Sequence, residues 1–176
     1  MFRLPQKHSR KQPDTGPRPD ATLILAQQSV GRAIAGGIVI VMVFGWIWTT
    51  ISMETGRVLP WFSILMGMIV GLAVQRAGRG LDWRFPVIAA ILAWSGAYAG
   101  NLMIGIVETG RYIEARPFSV LAGLSMDTME NFFAITISPI DHIYAFCAGG
   151  VASFLAKRRL NRREVLAIRT LNKEKR

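Results

Sequence analysis

Cysteine is almost absent from this chain. The single residue, Cys147, allows no internal disulfide, and its place in the last apolar block makes it a small buried or lipid-facing side chain. Acidic residues are scarce, with eleven Asp and Glu against twenty-one Lys and Arg and a net charge of +10. Histidine occurs twice, as His8 and His142. There is no G-x-x-x-x-G-K-[ST], no H-E-x-x-H, no C-x-x-C and no G-x-S-x-G, so the common phosphate-loop, zinc-protease, dithiol and hydrolase frames are excluded. Zinc-finger spacing, a helix-turn-helix pattern and aromatic-basic strand motifs are also missing, which speaks against nucleic acid as a partner. The stretch GRGLDW lacks a phosphate-binding frame and reads as a turn. The expectation is a protein without cofactor and without catalytic residues, more a non-enzyme than an enzyme.

What is present is apolar sequence in blocks. Hydrophobic residues make up 51% of the chain and charged residues 18%, with hardly a charge inside the blocks. A surface helix of a soluble protein would interrupt each block with a polar face; uninterrupted runs of near-bilayer length belong to membrane spans. The length of 176 residues suits one domain. Residues 1–30 read as a disordered basic tail with Pro5, Pro13, Pro17 and Pro19, followed by a short surface helix over 21–29 that Asp20 can cap. The first long apolar run is too long for a signal core and is expected to stay as an anchor.

Residues 31–156 read as a four-helix transmembrane domain with spans at about 33–51, 59–75, 85–107 and 138–156. Trp46 and Trp48 fall at the outer end of the first span, Trp61 at the start of the second and Trp83 before the third, where indole favours the water interface. Pro60 and Pro86 are placed in first turns, where a missing N–H does no harm. Gly67 and Gly71 in the second span and Gly96 and Gly100 in the third each have G-x-x-x-G spacing, and Gly149 sits in a small-residue run of the fourth. These helix-packing glycines predict that the middle hairpin closes small face to small face. Between the third and fourth spans, Leu121, Leu124, Thr128, Phe132 and Ile135 can share one face of an amphipathic outer-side helix, while Asp127 and Glu130 argue against a further span. Residues 157–176 read as a basic cytoplasmic helix or tail in which Leu160, Val165, Ile168 and Leu171 form an apolar strip.

Charge sets the orientation. With both termini and the turn at Arg76, Arg79 and Arg84 on one side, eighteen of the twenty-one Lys and Arg fall there, and only Arg57, Arg111 and Arg116 fall on the other. That asymmetry predicts an even number of spans with both termini cytoplasmic. The basic tails are also expected to attract anionic lipid headgroups.

Asp141, His142, Glu108 and Glu54 lie on the predicted outer side and are the candidates for a cation or metal site, although adjacent helix residues such as Asp141 and His142 point about 100° apart. Ser95 and Asn101 are the polar groups deep in the third span and are expected to bond a neighbouring helix or the backbone, with Tyr98 close enough to share the contact with Asn101. No span has a charge near its centre, as ion-coupled carriers need.

The stretch GMIVGLAVQRAGRGLDWRFPVIAAILA, followed by GAYAG, resembles uncharacterised small bacterial multi-pass inner-membrane proteins, in which a glycine-bearing helix ends in a basic, glycine-containing turn before the next span. The resemblance implies a location in the bacterial inner membrane and brings no catalytic residue with it. The expectation is an all-α integral membrane bundle of four transmembrane helices with an outer-side amphipathic helix between the third and fourth. The leading function is an accessory or scaffolding subunit, a homo- or hetero-oligomer packing through small-residue helix faces. A small oligomeric channel or solute facilitator is the alternative, and a membrane enzyme with an outer-side acidic and histidine site comes third.

Overall fold

The computed structural model describes residues 19–174, so most of the basic tail expected at the N-terminus lies outside the described residues. The described chain is all-helical, without strands: α1 Ala21–Ala26, α2 Val30–Thr55, α3 Phe62–Gly78, α4 Arg84–Tyr112, α5 Pro117–Ala122, α6 Met126–Thr136, α7 Pro139–Ala156 and α8 Arg162–Glu174. It divides into two units. The smaller combines the first residues, through Ala26, with the last, from Leu160 onward; the larger runs from Gln27 to Arg159.

In the smaller unit, α1 packs against α8, and Ala21 and Ile24 of α1 are buried. A pairing of the two ends of the chain is not visible in the separate sequence patterns. Asp20 caps α1: its carboxylate accepts from the Thr22 backbone N–H at 2.9 Å and from the Thr22 hydroxyl at 2.7 Å. These bonds favour the ionised form and hold the Asp20 carboxyl below its usual value of 3.8. The Val165, Ile168 and Leu171 strip of α8 is half-buried, while Leu166 is exposed.

The larger unit is a bundle of α2, α3, α4 and α7. α3 and α4 form its central pair, and α2 and α7 each pack against both. The helix ends have identifiable causes. The Ser29 hydroxyl accepts from Arg32 N–H to start α2, and Gly56 closes it in the left-handed region at φ 61°. α7 opens with a capping box, in which Ser138 N–H and Oγ–H both donate to Asp141 Oδ2 at 2.9 Å. Pro60 belongs to a turn ahead of α3 rather than to its first helical turn; Leu59, Pro60 and Trp61 accept from Phe62, Ser63 and Ile64 three residues on. α2 and α4 extend beyond the expected limits at both ends, because the polar residues flanking each apolar run continue the helix.

Among the described helices, α2 and α4 pass a test of length and composition for crossing a membrane. The expected second span, α3, has 17 residues, and the expected fourth, α7, carries Asp141 and His142 in its first turn.

Further expectations are corrected. The glycine pairs do not close the α3/α4 hairpin. Gly67 and Gly71 face α7: a Cβ on Gly67 would collide with the backbone of Ala148, and one on Gly71 would lie 2.7 Å from the Ala152 carbonyl oxygen. Gly96 and Gly100 face mainly α2, beneath Val41 and under the Trp48 indole, whose ring would be 2.7 Å from a Cβ on Gly100. Residue numbers rise together along α3/α7 and along α2/α4, so both pairs are parallel. The motif therefore serves neighbours that are not consecutive in the chain. Gly149 lies at the α4/α7 contact, where an added Cβ would sit 3.3 Å from the Ala90 carbonyl oxygen.

Trp48, expected at the interface, is 1% exposed and stacks on Phe62 at a centroid distance of 6.2 Å, whereas Trp46 on the same helix is 65% exposed. The space above Gly100 admits the indole and draws it inward. The single amphipathic helix expected between the last two long helices is also broken in two. Ser125 adopts an extended backbone and accepts from Thr128 N–H, starting α6 afresh, so Leu121 and Leu124 do not continue the face of Thr128. The side chains of Phe132 and Ile135, also assigned to that face, lie outside the described residues.

Candidate functional site

The bundle has two chemically different ends. At one, the end of α3 and the turn after it, with Arg76 and Arg79, are bonded to the basic segment Lys157, Arg158 and Arg159 after α7: Gln75 Nε2 donates to Lys157 O at 2.6 Å, and Arg158 N–H donates to Gly80 O at 3.2 Å. At the other stand the C-terminal turns of α2 and α4 and the first turn of α7, with Glu54, Glu108 and Asp141.

The polar residues of this second end come mostly from α4. Asn101, Gly105, Glu108, Thr109 and Tyr112 recur at three- and four-residue intervals and share one helix face. That face lines a cavity of about 470 Å³ together with Val58, Pro60, Ser138 and Asp141. Gly105 is buried and leaves the wall without a side chain. A neighbouring cavity of about 220 Å³ is lined by Ser52, Arg57, Glu108 and Arg111 among others. Glu108 faces both cavities and so stands between an acidic chamber and one with two arginines. The Ser52 hydroxyl, on a residue 2% exposed, has no hydrogen-bond partner, and neither has the buried Trp48 Nε1 one turn earlier. A buried donor without a partner keeps its desolvation penalty.

The four candidates for a cation site divide. Glu108 and Asp141 share the larger cavity, but one Asp141 oxygen is engaged in capping α7. His142 turns elsewhere: its Nδ1 lies 2.7 Å from the Tyr98 hydroxyl, joining α7 to α4. Tyr98 is packed edge-on against Trp94 at 5.0 Å and against Phe133 at 6.3 Å. Glu54 is exposed and lines neither cavity. Among the described residues no group of three His, Cys, Asp or Glu is placed to hold a metal ion.

The polar pair of the third expected span also separates. Ser95 bonds its own helix, donating to Ile91 O at 2.8 Å, while Asn101 faces the larger cavity. Tyr98 meets His142 rather than sharing a contact with Asn101. Thr109, Tyr112, Arg111 and Ser52 escape sequence reasoning. The helical spacing from Asn101 to Tyr112 was the available signal, and it becomes informative only once α4 is seen to continue to Tyr112. The chain matches no protein-family model, no curated protein and no solved structure.

Proposed function

We propose that this chain is a non-enzymatic, four-span protein of the bacterial inner membrane with both termini cytoplasmic, acting as an accessory subunit that meets its partner at the polar outer end of the bundle. One observation carries the membrane reading: alanines fill much of the bundle's interior around a few large side chains, while many large apolar side chains cover its outside. Ala89, Ala93, Ala148 and Ala152 are fully buried, while Met42, Phe146 and Phe154 are 68%, 70% and 77% exposed. Water would reject that surface, and lipid would accept it.

Parallel packing supports the count of spans. α2 and α4 are each long enough to cross, and they run side by side in the same direction. A chain that crosses twice in one direction must return between the crossings, and α3 is the helix available for the return. α7 runs antiparallel to α4 and completes the even number. At 17 and 18 residues, α3 and α7 extend about 26 and 27 Å at 1.5 Å per residue, close to the hydrocarbon thickness. The basic end then faces the cytoplasm and the cavities face outward.

The glycine faces first expected to receive partners are occupied within the chain, so the subunit reading now rests on the outer polar end. Native pull-down from membranes, with light scattering of the purified protein, tests it: partner or self-association lost on Glu108→Gln with Thr109→Leu is the expected result. A monomer that returns no partner overturns it.

A facilitator is the second reading, favoured by Asn101 at the floor of the larger cavity. Beneath it the bundle is filled by Met66, Val70, Ala93 and Ala97, so solute would pass between copies of the chain. Solute flux in proteoliposomes that disappears on Asn101→Leu would move the assignment to this reading. A membrane enzyme gains less support, since His142 is held by Tyr98 and does not join Glu108.

A further inference from the structure

The basic end holds a cavity of its own, of about 820 Å³, between the last turns of α3 and α7. Arg76, Arg79, Arg158 and Arg159 line it, together with Leu72, Leu155 and Gln75. None of its lining residues is an acid. The walls are tied: Gln75 bonds Lys157 O, Arg158 N–H bonds Gly80 O, and Arg79 Nη1 donates to Gln27 Oε1 at 3.1 Å. Arg79 is placed by a left-handed backbone, φ 48°, at the end of α3.

Orientation in a membrane accounts for arginines at this end, and two helix C-termini attract some positive charge. Neither accounts for Arg76, Arg79 and Arg159 lining one cavity, where like charges repel each other. An anion between them reverses the sign of that interaction. Guanidinium is planar, permanently charged and suited to two-pronged bonds with phosphate oxygens. The cavity is not polar throughout, however. Leu72 and Leu155 continue into the exposed apolar surface of Met68 and Ile69 on α3 and Phe154 on α7. A free phosphate has no use for that wall, but a phosphate attached to an acyl chain does.

We propose that the cavity between α3 and α7 seats the phosphate headgroup of an anionic membrane phospholipid, with an acyl chain running over Leu72 and Leu155. The site rests on the membrane-spanning reading above. It assigns a defined lipid to Arg76, Arg79 and Arg159, in place of a diffuse attraction of the tails.

The test uses the full chain in nanodiscs of phosphatidylcholine with a small fraction of spin-labelled phosphatidylglycerol, and compares Arg76→Gln/Arg159→Gln with Arg162→Gln/Arg169→Gln, which removes equal charge from α8. Helicity by circular dichroism establishes that each variant folds. The wild type is expected to enrich phosphatidylglycerol at its surface. The cavity pair should lose about fivefold in that preference per arginine removed, and the α8 pair should lose little. Equal loss in both pairs, or no enrichment by the wild type, overturns the site while leaving the membrane reading intact. A chain that does not enter pure phosphatidylcholine discs overturns both. Millimolar inorganic phosphate that abolishes the preference while the label shows no contact with the protein identifies a free-anion site and overturns the lipid assignment.

Discussion

Gly67 and Gly150 occupy the same kind of sequence, glycine in an apolar helix, yet their surroundings are opposite. A side chain at Gly67 runs into the backbone of Ala148, which cannot move aside, whereas Gly150 has nothing within 4 Å of an added Cβ. Gly67→Val should therefore destabilise the bundle by about 1–3 kcal/mol through overpacking. Gly150→Ala should be neutral in the same thermal unfolding measurement in detergent. Asp20 has a pH signature. Its carboxyl is depressed by the Thr22 hydrogen bonds, so the cap is fully effective above the ordinary value of 3.8 and is lost as pH falls through the lower folded value. Amide exchange over Ala21–Ala26 should accelerate relative to the rest of the helices on acidification to about pH 2. In Asp20→Asn that acid-dependent step should be missing.

Among the helices, α4 organises the larger unit. It supplies one side of both outer-end cavities, the Gly100 seat for Trp48 and the Tyr98 hydroxyl that reaches His142 on α7. Its existence and start were legible, since Pro86 and the apolar run mark them. Its last turns were not, because Glu108 and Arg111 look like the beginning of a loop when read one residue at a time. The Tyr98–His142 link makes a prediction at this scale. Tyr98→Phe should cost about 1 kcal/mol or less, the range for hydrogen bonds between membrane helices. His142→Ala should cost a similar amount, and the double variant little more than either. A double-mutant cycle of unfolding free energies checks the coupling, and full additivity would mean that the pair does not hold α4 to α7.

At the scale of the molecule, orientation is the decisive property. If the proposed orientation holds, an alkaline phosphatase fusion after residue 176 should be inactive, and one inserted after Gly56, between α2 and α3, should be active. Fluorescent reporters that mature only in the cytoplasm should give the reverse pattern. A phosphatase-active C-terminus would overturn the even number of crossings. Loss of the cavity arginines alone should leave the pattern unchanged, because most basic residues of that side remain.

Composition and one-dimensional order were sufficient for the all-helical class, the approximate position of every long helix and the gathering of charge at one end. Block hydrophobicity, proline at helix starts and glycine in turns are local properties, so a single strand of text carries them. Which helix each glycine touches is not local. G-x-x-x-G states that a close approach is possible but names no neighbour; the parallel pairs α3/α7 and α2/α4 emerge only when four helices share one volume. For the same reason Trp48 and His142 looked peripheral: the Gly100 seat and the Tyr98 hydroxyl come from α4, more than forty residues away in the chain.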